Sequence, residues 1–257
     1  MKYLTFNVRI NLSSDLINAW PNRVKAVADV IQKGAFGIVG LQEPNLEMVS
    51  DLLKELPNYR YTGLPRDERN EMTPILYNPE LVTLIESKTI WLSATPDIVS
   101  KFEESHFPRI ATIAVFETEE GRIRFVNTHL DYANPIVQRK QMTVLIKAVR
   151  KMDLRNSLPT IIVGDFNAVP SDTVIEYLRR VCIGFSRITS LYQIKKPGKT
   201  YHGFQGGRAG QPIDYIYTTD HFENKKYHVN RTSKDGLYPS DHYPIEFSLN
   251  LKKQAVK

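Results

Sequence analysis

The sequence predicts an α/β (α+β) fold of two packed β-sheets covered by helices on the outside. Strand-forming segments recur in runs in both halves of the 257-residue chain, and amphipathic helical repeats fall between them. No internal linker, low-complexity tract or short repeat interrupts the pattern, so residues 1–257 are expected to form one domain.

Residues 2–10 alternate, with Leu4, Phe6, Val8 and Ile10 on one face and Tyr3, Thr5, Asn7 and Arg9 on the other. Period two predicts a strand with an apolar face and a polar face that carries Asn7. Val24, Val27, Ala28 and Ile31 fall at helical spacing, with Gly34 as a stop. A short apolar strand over 37–43 ends in Glu43, and Leu46, Val49, Leu53 and Leu56 predict a second helix closed by Pro57. Tyr59 to Met72 is polar, carries both signs of charge and reads as a surface loop.

Strands are expected at 74–77, 81–92, 110–116 and 122–130, the last ending in Asn127-Thr128-His129-Leu130-Asp131. A third helix starts near Pro135 and buries Met142, Leu145, Ile146 and Val149. In a fourth, capped by Ser171, Val174, Leu178 and Val181 point inward. The final third is richer in loops, with strands at 213–217 and 245–251.

The stretch Pro159 to Asn167 joins structure to chemistry. Ile161, Ile162 and Val163 predict a short strand buried on both faces. At its exit Asp165 and Asn167 point to one side of the extended backbone and Phe166 to the other. An acceptor and a donor held side by side suit a site that orients a water and grips an anionic oxygen, although Gly, Asp and Asn are also ordinary turn residues.

Other apolar strands finish in the same manner, at Asn7, Glu43, His129, Asp214, and Asp241 with His242. Taken singly, Glu43 before Pro44 reads as a loop acid, His129 as a satisfied core histidine and Asp241 as a turn cap. Their recurrence at strand ends is harder to ascribe to turn chemistry, which does not favour Glu or His. Glu43, Asp165 and Asp241 are hard oxygen donors suited to Mg²⁺ or Mn²⁺ and not to a soft metal. Two histidines can donate to phosphate oxygens as charge builds, and Asp214 can set one imidazole's tautomer. This chemistry fits hydrolysis of a phosphate ester.

Composition bounds the class. Hydrophobic residues make up 42% of the chain, enough for a sizeable core, and no stretch approaches the ~20 apolar residues of a membrane span. Its single cysteine, Cys182, excludes an intrachain disulfide and a cysteine-based zinc cluster. The strand pattern at Met1 leaves no room for a signal peptide, so a soluble, cytoplasmic monomer is expected. A net charge of +6, with small basic clusters at 195–199, 225–226 and 252–253, permits a phosphate-bearing substrate without identifying one.

The segments Tyr3-Leu4-Thr5-Phe6-Asn7, Gly40-Leu41-Gln42-Glu43, Asn127-Thr128-His129-Leu130-Asp131, Gly164-Asp165-Phe166-Asn167, Ile213-Asp214-Tyr215-Ile216 and Ser240-Asp241-His242-Tyr243-Pro244-Ile245 follow one another in a familiar order. In this the chain resembles the endonuclease/exonuclease/phosphatase superfamily, to which DNase I belongs. The resemblance implies a four-layer α/β/β/α sandwich with two mixed sheets. It also implies that Glu43 is the principal metal ligand, with Asn7 and Asp241 helping to hold the ion or its water. Asp165 would orient or deprotonate the attacking water, or protonate the leaving oxygen. Asn167 would bind the phosphate or position the water, Asp214 and His242 would form a supporting dyad, and His129 would contact the phosphate from the opposite side.

Arg9 stands where apurinic endonucleases carry an acid, which disfavours DNA repair. The segments Trp91-Leu92-Ser93, Phe107-Pro108-Arg109 and Thr200-Tyr201-His202-Gly203-Phe204 resemble a bacterial group loosely similar to CCR4/nocturnin-type proteins. Arg109 and His202 are candidate substrate contacts. A nuclease acting on nucleic acid or nucleotides, 3′–5′ exonuclease-like, is the leading expectation. The alternatives are a phosphatase or phosphodiesterase of small sugars, nucleotides or lipid headgroups, and an inactive binding module on the same scaffold. Substrate choice would lie in the loops 59–73, 93–108 and 195–211, whose aromatics Tyr59, Tyr61, Phe102, Phe107, Tyr201 and Phe204 are candidates to stack on a base or sugar.

Overall fold

The computed structural model describes residues 1–154, 157–183, 186–191, 198–207 and 210–253. Its first half lays down β1 (Lys2–Asn7), α1 (Trp20–Gly34), β2 (Ile38–Gln42), α2 (Leu46–Glu55), β3 (Arg60–Thr62), β4 (Ile75–Tyr77), β5 (Val82–Trp91), β6 (Ile110–Thr118) and β7 (Gly121–His129). Then follow α3 (Pro135–Asp153), β8 (Thr160–Asp165), α4 (Thr173–Leu178), β9 (Cys182–Ile183), β10 (Ser186–Arg187) and β11 (Thr189–Ser190). The chain closes with β12 (Asp214–Thr218), β13 (Phe222–Val229) and β14 (Ile245–Leu251).

Two six-stranded sheets result, in the orders β13-β14-β1-β2-β4-β3 and β11-β12-β8-β7-β6-β5. Three apolar clusters separate four layers. Leu4, Phe6, Val39 and Leu41 face Val27, Ile31, Met48 and Leu52 of α1 and α2. Tyr3, Ile38, Phe125, Ile161, Val163 and Phe247 fill the space between the sheets. Val126 and Ile162 face Met142, Leu145, Val149 and Val174 of α3 and α4. This is the α/β/β/α sandwich of mixed sheets that the sequence predicts. No helix among the described residues is long and apolar enough to cross a membrane.

Each sheet is built around one parallel pair, β1 with β2 and β7 with β8, connected through α1 and α3. The neighbours β14 and β12 run antiparallel to β1 and β8. The carboxyl ends of the parallel strands and the amino ends of β12 and β14 therefore meet at one edge. Polar side chains tie the sheets together beneath it. Asn127 Nδ2 donates to the carbonyls of Leu41 (2.7 Å) and Pro74 (2.9 Å), and its Oδ1 accepts from Gln42 Nε2 at 2.6 Å.

Several elements differ from expectation. The polar face of β1 is not solvated: Tyr3, Thr5 and Asn7 are all buried, because the second sheet covers them. In α2 the inward residues are Met48, Val49 and Leu52, while Leu46 faces solvent. Asn45 caps that helix by accepting from Met48 N at 2.9 Å, which sets its phase. The segment 59–72 contains β3 and buries Arg66, Glu71 and Met72, and Tyr59 lies in the core with its hydroxyl donating to the Phe36 carbonyl. Asp172, not Ser171, stands at the start of α4, and its carboxylate turns back to accept from Val169 N. Strand β13 escapes a hydrophobic reading because only its ends, Phe222 and Val229, are buried. Lys195 and Lys196 of the first basic cluster lie outside the described residues.

Candidate active site

Glu43 follows β2, Asn7 ends β1, His129 ends β7 and Asp165 ends β8. Register places His129 opposite Asp165, and Asp214 opposite Asp165 on the other side. The close approach needs Gly164, whose φ is +148° and where a Cβ would lie 1.9 Å from the Thr128 carbonyl oxygen. Glu43 has a φ of 71° although it is neither glycine nor asparagine and precedes Pro44. Such a backbone costs on the order of 1–3 kcal/mol and is characteristically kept where function demands it.

Asn7 joins the two halves of the site. Its Nδ2 donates to Glu43 Oε1 at 2.9 Å and to Asp165 Oδ2 at 3.0 Å, while its Oδ1 accepts from Arg9 N at 2.9 Å. The other oxygen of Glu43 accepts from Ile10 N at 2.9 Å. Asp165 Oδ1 accepts from Asn167 N at 2.8 Å, and Oδ2 lies 3.6 Å from both His129 Nε2 and His242 Nε2. His242 Nδ1 donates to Asp214 Oδ2 at 2.8 Å, the expected dyad geometry.

Burial pushes the Asp165 carboxyl up, and neighbouring Asp214 adds to this, bringing it to about 7. Burial acts downward on His242, but Asp214, Asp165 and Asp241 together carry it up to about 10. His129 is held well below its ordinary value by burial and by the cations Arg109 and Arg66, so its ring is neutral. The site thus pairs one imidazolium with one neutral imidazole on either side of a carboxyl that titrates near neutrality.

The tautomer of His129 follows from its neighbours. Arg109 Nη1 lies 3.2 Å from Nδ1, and a guanidinium can only donate, so Nδ1 accepts and Nε2 carries the proton. Nε2 faces Asn167 Nδ2 at 3.0 Å, and that amide also donates to the Leu130 carbonyl at 2.9 Å. Two donors therefore oppose each other, an arrangement relieved by an anionic oxygen that sits beside the pair and accepts from both.

Arg109 itself is only 4% exposed, with Nη1 3.3 Å from Glu71 Oε1 and Nε 3.5 Å from Asp131 Oδ2. It backs His129 and is not a surface cation. His202 is likewise buried, stacked 3.9 Å from the Tyr243 ring, with Nδ1 accepting from Gly206 N. It lies beside the dyad, and burial pushes it down to about 4. Phe107 and Phe204 lie against Arg66 and Arg23, respectively, at 4.5 and 5.4 Å. Tyr201 remains over a third exposed, its ring 5.0 Å from His242.

The donor set fits a hard divalent cation. Among the described residues, ligand atoms of Glu43, His129 and Asp165 lie within 4.8 Å of one another, as do those of Asp165, Asp214 and His242. With the proton of His129 on Nε2, the carboxylates are the ligands of choice, and Glu43 is the least enclosed of them. Asp241 is raised by burial and by Glu43, and its Oδ2 stands 3.9 Å from Arg9 Nη1, at the margin of this cluster. The sequence gives no local signal for Arg66 or Glu71, and none for the role of Asp131. Arg66 and Glu71 pair with each other inside a stretch that reads as loop, and Asp131 closes the His129 motif without any sign of its distant partner Arg109.

A sequence profile of the Endonuclease/Exonuclease/phosphatase family matches residues 4–242. The chain belongs to this family. Among solved structures, an endonuclease/exonuclease/phosphatase from Bacteroides vulgatus is 27% identical, covering 98% of each chain with a TM-score of 0.88. A mannosyl-6-phosphatase from Bacteroides thetaiotaomicron is 24% identical over 97% of this chain and 99% of its own, with a TM-score of 0.86. The human nocturnin catalytic domain, with bound sulfate, is 20% identical over 98% of this chain and 94% of its own, at a TM-score of 0.76. The latter two share the fold. No curated protein sequence matches the chain. As a member of this family the protein is a hydrolase of phosphate esters, and the divalent-metal dependence general in the family agrees with the acidic cluster.

Proposed function

We propose that the chain is a Mg²⁺- or Mn²⁺-dependent phosphoesterase that hydrolyses phosphodiester bonds in nucleotides or nucleic acid by in-line attack of water. The observation that carries the proposal is Asp165, a buried carboxyl raised to about 7 between a neutral and a charged imidazole, each 3.6 Å from its Oδ2. A carboxyl poised near neutral pH can take the proton of an attacking water and later return it. Asn167 N and Asn7 Nδ2 hold its two oxygens in orientation. His129 Nε2–H and Asn167 Nδ2 supply donors to one non-bridging oxygen, and the His242 imidazolium, steadied by Asp214, supplies another. Glu43 would hold the cation, with Asn7 and Asp241 flanking it, and the ion would polarise a phosphoryl oxygen and offset the charge gathered in the site.

A second reading, a phosphomonoesterase of a small phosphorylated sugar, draws on the likeness to the mannosyl-6-phosphatase across 97% of this chain. A screen of dinucleotides, RNA, single-stranded DNA and hexose phosphates, in Mg²⁺, Mn²⁺ and chelator, decides between them. Diester cleavage that chelator abolishes and Glu43→Gln removes supports the proposal. Release of phosphate from hexose phosphates alone replaces it with the second reading, and silence on every substrate refutes both.

A further inference from the structure

Beyond the reacting groups, one fully buried carboxylate does more than pair with Arg109, whose Nε lies 3.5 Å from its Oδ2. Asp131, two residues after His129, accepts at Oδ2 from Ser105 Oγ (2.8 Å) and Phe107 N (3.1 Å), and at Oδ1 from Ala133 N (2.8 Å). His106 Nδ1 lies 3.3 Å from the same Oδ1, and Gln141 Oε1 accepts from the Asp131 N–H at 2.8 Å. One carboxylate thus clamps two loops, 105–107 and 131–133, against the end of β7.

The clamp presents two rings on the outside. His106 and Tyr132 stack with centroids 4.6 Å apart and planes 16° from parallel. Tyr132 is 55% exposed and the His106 side chain 51%, so the pair leaves much of its aromatic surface in water. A buried acid with this many donors is expensive to build, and the exposed stack it holds adds little to the core. Tyr132 lies three residues from His129, so their Cα atoms are at most about 11 Å apart. That is the order of the reach from a nucleotide's phosphate to its base.

We propose that the His106–Tyr132 stack is a substrate subsite that takes the nucleobase adjoining the scissile phosphate. A half-exposed aromatic surface suits a planar heteroaromatic ring and is tolerant of which base it meets. Asp131 and Ser105 act through these rings as positioning residues. The assignment rests on the nucleotide reading above, and its test has a readout that does not depend on turnover.

In metal-free protein, titration with AMP should shift the Tyr132 and His106 ring resonances upfield by stacking, and hexose phosphate should not. Tyr132→Ala should abolish the His106 shift, and Tyr132→Phe should retain it. With Mg²⁺, Tyr132→Ala and His106→Ala should each raise KM for a dinucleotide about tenfold, and neither should change KM for a diester that carries no base, such as glycerophosphocholine. Ring shifts that persist in a protein without any turnover would support the subsite while refuting the hydrolase. Absence of AMP-induced shifts, equal shifts with hexose phosphate, or an unchanged KM in both alanine variants would overturn the subsite.

Discussion

Replacing Asp214 with Asn keeps the shape of the dyad and removes the charge that sustains it. The His242 ring is buried, which alone would drive its proton off, yet its neighbours carry it from 6.5 up to about 10. At 1.36 kcal/mol per unit, that displacement is on the order of 5 kcal/mol between the two protonation states. The folded value lies above the unfolded one, so this contribution is fully present below pH 6.5 and is lost as pH rises through 10. Metal-free wild type should therefore lose stability towards urea between pH 7 and about 10, a drop that Asp214→Asn largely removes. In the variant, burial acts against a weaker set of acids, so the His242 titration should move well down from its wild-type position, observed by NMR of its ring protons. A wild-type His242 titrating near 6.5, or a variant with an unchanged titration, would refute the reasoning.

Two further substitutions probe the scaffold and the tautomer. Gly164→Ala places a methyl 1.9 Å from the Thr128 carbonyl oxygen at a φ of +148°, so β7 and β8 must part, at a cost of about 3 kcal/mol or more. An unchanged urea midpoint would contradict this. Arg109→Met removes the donor to His129 Nδ1 and leaves Glu71 and Asp131 without it. Nitrogen-15 spectra should then lose the pure Nε2–H form of the wild type, with turnover falling about a hundredfold. A wild-type ring protonated on Nδ1 would show that Arg109 does not set the tautomer.

The parts of the fold that can be read in the sequence are those whose signal is local. The runs Ile38 to Leu41 and Ile161 to Val163 are buried on both faces, so they stand out as apolar words, and the acids that end them stand out in turn. Helix α3 is legible because Met142, Leu145, Ile146 and Val149 form one stripe. What escapes is set by partners distant in the chain. Arg66 and Glu71 look like loop polarity until Arg109, just before β6, and His129, at the end of β7, close on Glu71. Arg109 and His202 stand out as candidate contacts, and only packing shows that both are enclosed. Strand β13 is paired along one edge and solvated elsewhere, so its residues carry no alternation to detect.

The central claim is that Glu43, Asp165 and their neighbours gather around a divalent cation at the strand edge where phosphate is turned over. Anomalous diffraction from crystals grown with Mn²⁺ and inorganic phosphate tests this most directly. The expected result is a manganese peak bonded to Glu43, with a phosphate oxygen within hydrogen-bonding distance of His129 Nε2 and Asn167 Nδ2. A manganese peak bound away from Glu43, or a phosphate seated outside the reach of both donors, would contradict it.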